Sequence, residues 1–382
     1  MQAAPDLGPV PNKKRMFVVP SPSLFDDGQS SALSSNATRS RSSSPAKRKR
    51  DLQFARPRIT FRQGGLMERR QELEEQVPLL RDLLATVSQA QKELPVNLKN
   101  FLHERTDELS GIPLPPFTES AKLSPFGDIE PNLREIVAET RFCQDMEATE
   151  DEWCHRVVYP ILNLAAKKLT KELPPVDIAT VKAINISPTT LLPTNHQGDK
   201  PQGKRVDYAV GVNILRTYQP KLVQTISEAV TTRTFSQSDH PRVAELVMFS
   251  QFEVKRKLNA RDGDIQLGVW CAAGIKKLEQ LWWDRRPMDL ATVPSIPAQD
   301  QPQTVAVMPL WLWTDETVLL YVAIKTSPED IEIFTVSQWS CAQEAGLARL
   351  VITLTWIMEW GCSKYLEWWK RYLALHEILV DH

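Results

Sequence analysis

Phe249-Ser250-Gln251-Phe252-Glu253-Val254-Lys255 is the stretch on which the fold turns. It closes a strand-like run, Leu246 to Lys255, and strand side chains alternate between faces. Glu253 and Lys255 therefore point to one side, with Val254 opposite. Upstream, Lys204-Arg205-Val206-Asp207-Tyr208-Ala209-Val210 places a carboxylate in another apolar strand, which has little reason to hold one. Downstream, Gln266 lies at the start of Gln266-Leu267-Gly268-Val269-Trp270, on a helix predicted from Ile265 to about Trp282 with Asp264 as its cap.

Metal-assisted phosphodiester hydrolysis needs these residue types. Asp207, Glu253 and the backbone carbonyl of Val254 are hard oxygen ligands of the kind that suits Mg²⁺ or Mn²⁺. Such an ion lowers the pKa of a bound water and offsets charge on the phosphate. Lys255 beside the carboxylates can stabilise the transition state electrostatically, and Gln266 can hydrogen-bond the water or orient Lys255. An aspartate at a strand end is usually a turn former, and an E-x-K triplet usually a solvent-facing ion pair. The assignment rests on their convergence.

Around this centre the pattern predicts helices over Leu133 to Met146 and Glu150 to about Leu169. The second opens on Thr149-Glu150-Asp151-Glu152, which fits a capping box, and Pro160 should kink it. Strands are expected over Val176 to Ile186, Arg205 to Val212, Val305 to Trp313 and Val318 to Ile324. The remainder, Ser337 to Trp360 and Ser363 to about Ile378, reads as helical. Helix, three strands, helix, strand, then helices makes an α/β domain with helices flanking a mixed sheet.

The N-terminal part differs. Residues 1–64 hold 12 Lys/Arg against 4 Asp/Glu, so a basic arm precedes a body with 34 Lys/Arg against 43 Asp/Glu. Rich in Ser, Pro and Arg and poor in apolar periodicity, the arm is expected to be disordered. Within it Lys47-Arg48-Lys49-Arg50 follows Ser44-Pro45 and is readable by an importin groove, as a nuclear-import signal, or by a phosphate backbone, against the plainer reading of a solvated charge run. Residues 65–131 form a helical segment and a Pro-rich linker. Leu66, Leu73, Leu80 and Val87 step by seven, with Val77 and Leu84 in a second row, and this seam over residues 66–92 either packs on the body or joins a homodimer. Pro78 should break it. The catalytic domain is placed at 132–382.

Composition excludes several classes. Five scattered cysteines (Cys143, Cys154, Cys271, Cys341, Cys362) form no CxxC pair, which argues against a zinc site or a disulfide framework. No apolar run reaches the ~20 residues of a membrane span, and the opening residues lack the order of a secretory signal. Of the eleven tryptophans, Trp282-Trp283 beside Arg285 and Arg286 is the one candidate for base stacking.

Taken together, these residues resemble the PD-(D/E)XK nuclease superfamily, and within it the nuclease-like domain found in many fungal proteins. The likeness covers about Arg141 to Trp369. It rests on Ala148-Thr149-Glu150-Asp151-Glu152-Trp153, Val206-Asp207-Tyr208-Ala209, Glu253-Val254-Lys255 and Gln266-Leu267-Gly268-Val269-Trp270-Cys271-Ala272-Ala273. Trp311, Trp313 and Trp368-Trp369 follow. The resemblance implies a restriction-endonuclease-like αβββαβ core of the α/β (α+β) class, with Mg²⁺ at the aspartate and the E-x-K triplet. By motif, Asp207 matches the metal-binding aspartate, Glu253 the second acid and Lys255 the catalytic lysine. Gln266 matches the polar position on the following helix, and Glu152 the first-helix acid. Val206 stands where the motif has proline. A polar insert, about Asn213 to Pro241, separates Asp207 from Glu253. The expectation is a Mg²⁺-dependent nuclease acting on nucleic acid, DNA foremost, in the nucleus. The alternative is a catalytically inactive relative kept as a nucleic-acid-binding or scaffold protein.

Overall fold

The computed structural model describes residues 49–103, 116–195, 205–217, 234–284 and 306–372. Its frame is a seven-stranded mixed sheet. In chain order the strands are β1 (Arg58–Arg62), β2 (Val176–Thr180), β3 (Tyr208–Asn213), β4 (Leu246–Lys255), β5 (Val307–Thr314), β6 (Thr317–Ser327) and β7 (Asp330–Ser340). In space the order is β1-β7-β6-β5-β4-β3-β2. The β1–β7 and β4–β5 pairs are parallel, and the remaining pairs are antiparallel. Central β4 and β5 are buried almost throughout, as strands covered on both faces must be.

Helices α1 (Leu66–Gln76), α2 (Pro78–Ala90) and α3 (Glu130–Asp145) precede the sheet's central strands. Helix α4 runs from Glu150–Trp153 through one π turn, Cys154–Val158, into Tyr159–Lys167. The wider π turn lies just ahead of Pro160, so the missing N–H is absorbed without ending the helix. Helix α5 (Ala260–Asp284) packs across β4 and β5. Helix α6 (Glu344–Trp360) packs against α2, α3 and α4, and a second π turn, Gly361–Tyr365, leads into α7 (Leu366–Tyr372). Among the described residues no helix is long and apolar enough to cross a membrane. All five cysteines are buried free thiols.

The mixed sheet with flanking helices is the expected class, but several boundaries change. The arm does not extend to residue 64. Lys49–Phe54 forms a 3₁₀ turn, and β1 pairs in register with Asp330 to Phe334 at the sheet edge. Arg58 and Arg62 meet Asp330 and Glu332 there, so cations that suggest a solvated tail instead neutralise an acidic edge strand. Nor does the folded part begin at 132, because Leu66, Leu73, Val77, Leu80, Leu84 and Val87 are all buried in the common core. The row offered as a dimer seam is thus covered within one chain, and Pro78 opens α2 at a position where its missing donor costs nothing. The polar insert also contributes to the body, with Phe235, Ser236, Gln237 and Ser238 buried. Helix α5 begins at Ala260, so Asp264 lies inside it and pairs with Lys49 instead of capping it. Strand β2 ends at Thr180, short of Ile186, and Asp330–Ser340 is strand where Ser337 onward reads as helix. Residues Lys47, Arg48, Arg285 and Arg286 lie outside the described residues. Trp282 is half-buried against Tyr372, ring centroids 5.2 Å apart, an ordinary core-edge contact.

Candidate active site

The site forms where β4 runs past the start of β3. Asp207, immediately before β3, donates its N–H to the Phe252 carbonyl at 2.9 Å. Its Oδ2 then accepts the Val254 N–H at 2.7 Å. Val254 lies beyond the antiparallel register of β3, so its buried N–H needs a side-chain acceptor, and Asp207 supplies one. This backbone grip fixes the carboxylate irrespective of any ligand.

One strand position earlier, Glu253 is 1% exposed. Lys255 Nζ lies 2.6 Å from Glu253 Oε1. The contact is a close charge pair and not a well-aimed hydrogen bond, and neither Glu253 oxygen has a hydrogen-bond partner among the described residues. Lys255 Nζ donates to Glu150 Oε2 at 3.0 Å and to the Val254 carbonyl at 3.1 Å. Gly263, in the first turn of α5, lets that helix close over the strand. A Cβ there would stand 2.4 Å from Leu312 Cδ1 and 3.1 Å from Lys255 Cγ.

Burial sets the electrostatics. It raises the Asp207 carboxyl above its ordinary value, against the pull of the Lys182 ammonium and the Val254 N–H. Burial and then the Asp207 charge raise Glu253 well above the usual carboxylate range. For Lys255 burial opposes the charged form, but Glu253, Glu150 and Asp207 outweigh it and the ammonium is held. Two carboxyls forced upward beside retained cations are what a site prepared for further positive charge looks like.

Asp207, Glu253, Val254 and Lys255 are thus brought together. Glu152 is not. Its carboxylate accepts from Thr149 N and Thr149 Oγ1, at 2.8 and 3.0 Å, closing the capping box on the exposed face of α4. The first-helix acid that reaches the site is Glu150. The capping box itself carried the signal, since it commits Glu152 to Thr149 and leaves Glu150 free to turn inward. Gln266 also has another partner: its Nε2 donates to the Arg205 carbonyl at 2.6 Å, bracing the approach to Asp207 instead of touching Lys255.

Lys182, just beyond β2, is a residue the sequence pattern missed. Its Nζ lies 3.4 Å from Asp207 Oδ1 and also pairs with Asp151. Burial opposes its charge, yet Asp151 and Asp207 together raise its pKa. Cys154 beneath it is pushed up to about 12, by burial first and then by Asp207, so it remains a neutral thiol.

Among the described residues no three His, Cys, Asp or Glu side chains converge as a metal-holding group. The available donor set is smaller: Asp207, Glu253 and the Val254 carbonyl. It fits Mg²⁺ or Mn²⁺, because the buried Glu253 Oε2 is an orphaned acceptor and magnesium keeps several waters when carboxylates are few.

No curated protein and no solved structure matches this chain. The family model described as the PD-(D/E)XK nuclease superfamily matches residues 103–366, well over half of the 382, and it takes in every residue of the site just described. The chain belongs to the PD-(D/E)XK nuclease superfamily.

Proposed function

We propose that this protein is a divalent-metal-dependent nuclease that hydrolyses phosphodiester bonds, with DNA as its substrate, in the nucleus. The observation that carries the reading is Glu253: a carboxylate 1% exposed, whose Oε1 meets the Lys255 ammonium at 2.6 Å and whose buried Oε2 has no hydrogen-bond partner among the described residues. Burying a carboxylate oxygen with no donor is costly, and Oε2 is left open toward the side that Asp207 shares.

Asp207, Glu253 and the Val254 carbonyl would hold Mg²⁺ or Mn²⁺. When bound, the ion supplies a more acidic water and offsets charge on the phosphate. The chain's own residues do the rest. Asp207 is oriented by the Val254 N–H and flanked by Lys182. Lys255 is aimed by Glu150 and presents its ammonium where charge develops on the phosphoryl oxygens. To hold the ion, Glu253 would give up the proton that its raised pKa favours and would share its charge between the ion and Lys255. Gln266 holds the Arg205 carbonyl and so the segment leading into Asp207.

The reading is tested by cleavage of plasmid and single-stranded DNA with Mg²⁺, Mn²⁺ or EDTA, comparing the full chain with Lys255→Ala and Asp207→Ala. Metal-dependent cutting that both substitutions abolish is expected, and activity surviving both would reject the assignment. A second reading, an inactive relative that binds nucleic acid or acts as a scaffold, has one observation in its favour. Lys255 and Lys182 already sit against Glu253 and Asp207, so the site holds its charges without an ion. Tight DNA binding without turnover would select it.

Nuclear residence would come through importin and the Lys47-Arg48-Lys49-Arg50 cluster. Lys49 is partly committed to the fold, pairing with Asp264 at 2.7 Å with its ammonium 4.1 Å from the Phe61 ring centroid. Substituting Lys47, Arg48 and Arg50 with alanine tests import without loosening that contact. Unchanged localisation would discard it. A homodimer through residues 66–92 would have to use the exposed faces of α1 and α2, and sedentary monomers at high concentration in sedimentation would remove it.

A further inference from the structure

The turn that follows the E-x-K strand carries an exposed leucine on a braced basic platform. Residues 255–262 read Lys-Arg-Lys-Leu-Asn-Ala-Arg-Asp, four cations and one acid on a body whose residues beyond 64 are acidic overall. Leu258, in the 3₁₀ turn Lys257–Asn259, is 98% exposed, the highest value among the exposed large hydrophobics. Lys257 and Arg261 flank it, both exposed, and among the described residues neither side chain is in an ion pair.

The turn is held from three sides. The Arg256 guanidinium donates to Asp315 Oδ1 at 2.9 Å and to the Glu147 and Ala148 carbonyls, each at 2.7 Å. Asp315 Oδ2 accepts the Lys257 N–H at 3.1 Å. The Asn259 N–H closes the turn on the Arg256 carbonyl at 2.7 Å. Asp315 sits in the β5–β6 connection with φ 50, a left-handed conformation that aspartate tolerates better than most residues. A single exposed leucine on a loose loop would mean nothing. One fixed on a rigid turn, between unpaired cations and next to Lys255, has the form of a wedge: proteins that deform duplex DNA insert such apolar side chains between base steps while cations hold the phosphates.

We infer that Leu258 is a wedge that enters a base step of duplex DNA beside the scissile phosphate, with Lys257 and Arg261 on the flanking phosphates. The inference rests on the nuclease reading and adds a substrate class, duplexes with an easily unstacked step. Leu258 stands three positions beyond Lys255, so their Cα atoms are at most about 11 Å apart. With the reach of the two side chains added, and about 3.4 Å per step along a strand, cleavage falls within about six nucleotides of the unstacked step. Steps that unstack easily, TA and CA/TG, are favoured over stiff A-tracts.

The test uses the full chain carrying Lys255→Ala, so that DNA is bound without being cut. A 30-base-pair duplex with 2-aminopurine in a single central TA step reports unstacking as increased fluorescence. The expected result is a several-fold rise at saturation that Leu258→Ala abolishes and Leu258→Met restores, with circular dichroism matching the parent. In the otherwise unmodified chain, Leu258→Ala should lower kcat/KM on the TA duplex at least tenfold. No fluorescence rise on a duplex that is bound, or equal signals with and without Leu258, overturns the wedge. Cutting that ignores Leu258 sinks the wedge alone, whereas binding and unstacking with no cutting by the unmodified chain sinks the nuclease reading alone. Failure to bind duplex at low salt would sink both.

Discussion

Glu150 Oε2 lies 3.0 Å from Lys255 Nζ, joining the first turn of α4 to the last residue of β4. The same carboxylate accepts the Arg256 N–H through Oε1 at 3.4 Å, so one acid holds both the ammonium and the chain direction beyond it. Glu152, two residues on, is occupied with Thr149. The two acids should therefore separate cleanly in experiment. Glu150→Gln is expected to reduce kcat about tenfold or more, with little change in substrate KM, because it releases Lys255 from the position where charge develops. Glu152→Ala is expected to lower Tm through loss of the cap and leave kcat unchanged. Steady-state kinetics beside thermal denaturation would decide it, and the reverse pattern would return the first-helix role to Glu152.

Removing the lysine or its neighbouring aspartate should act on chemistry and on metal separately. Lys255→Ala is expected to cost at least about 10²-fold in kcat while the protein still binds Mg²⁺ by calorimetry. Asp207→Asn is expected to lose both. Equal metal affinity in the parent and Asp207→Asn would show that Asp207 is no ligand.

Glu253 makes a pH prediction. Its folded-state pKa stands above the ordinary 4.5. The stabilising contribution of this group is therefore complete below about pH 4.5 and is lost as pH rises through the folded value. Above that folded value the metal-free protein carries a buried charge that glutamine would not, so the Tm of Glu253→Gln should gain on that of the parent as pH rises through it. The gap should close as the pH falls back below that value. Added Mg²⁺ should raise the Tm of the parent and not that of the variant, since a ligand stabilises only the fold that binds it. A gap that is constant with pH would mean that Glu253 does not titrate in this range.

Gly263 is fixed by space. With Leu312 Cδ1 and Lys255 Cγ both inside the ordinary contact distance of a would-be Cβ, Gly263→Ala must displace the buried Leu312 side chain or Lys255, or push α5 off β4. The expected cost is about 1–3 kcal/mol of stability, as for other overpacked sites, together with lower kcat. Denaturant unfolding would check the first part, and an unchanged midpoint would show that the helix start is compliant.

How much of this was legible can be judged element by element. The bounds of β4 were readable because the strand-like run from Leu246 ends on the E-x-K triplet. Strand β1 was hidden. Arg58-Ile59-Thr60-Phe61-Arg62 looks like part of a basic tail, and its acidic partners lie some 270 residues away, beyond any local window. Asp330–Ser340 was obscured at its end by the helical pattern that follows. Lys182 had no signal of its own, because nothing in a sequence shows which lysine beyond a strand end will meet a distant aspartate.

The sequence by itself determined the class of the fold and the kinds of side chain available for chemistry, because alternation and apolar runs are local and backbone geometry follows from them. Only the tertiary structure decided which of two acids on α4 turns inward, that Gln266 braces a carbonyl, and that Lys182 joins Asp207. Those outcomes depend on which buried polar atoms still need partners once the strands have paired, and that is settled between segments far apart in the chain.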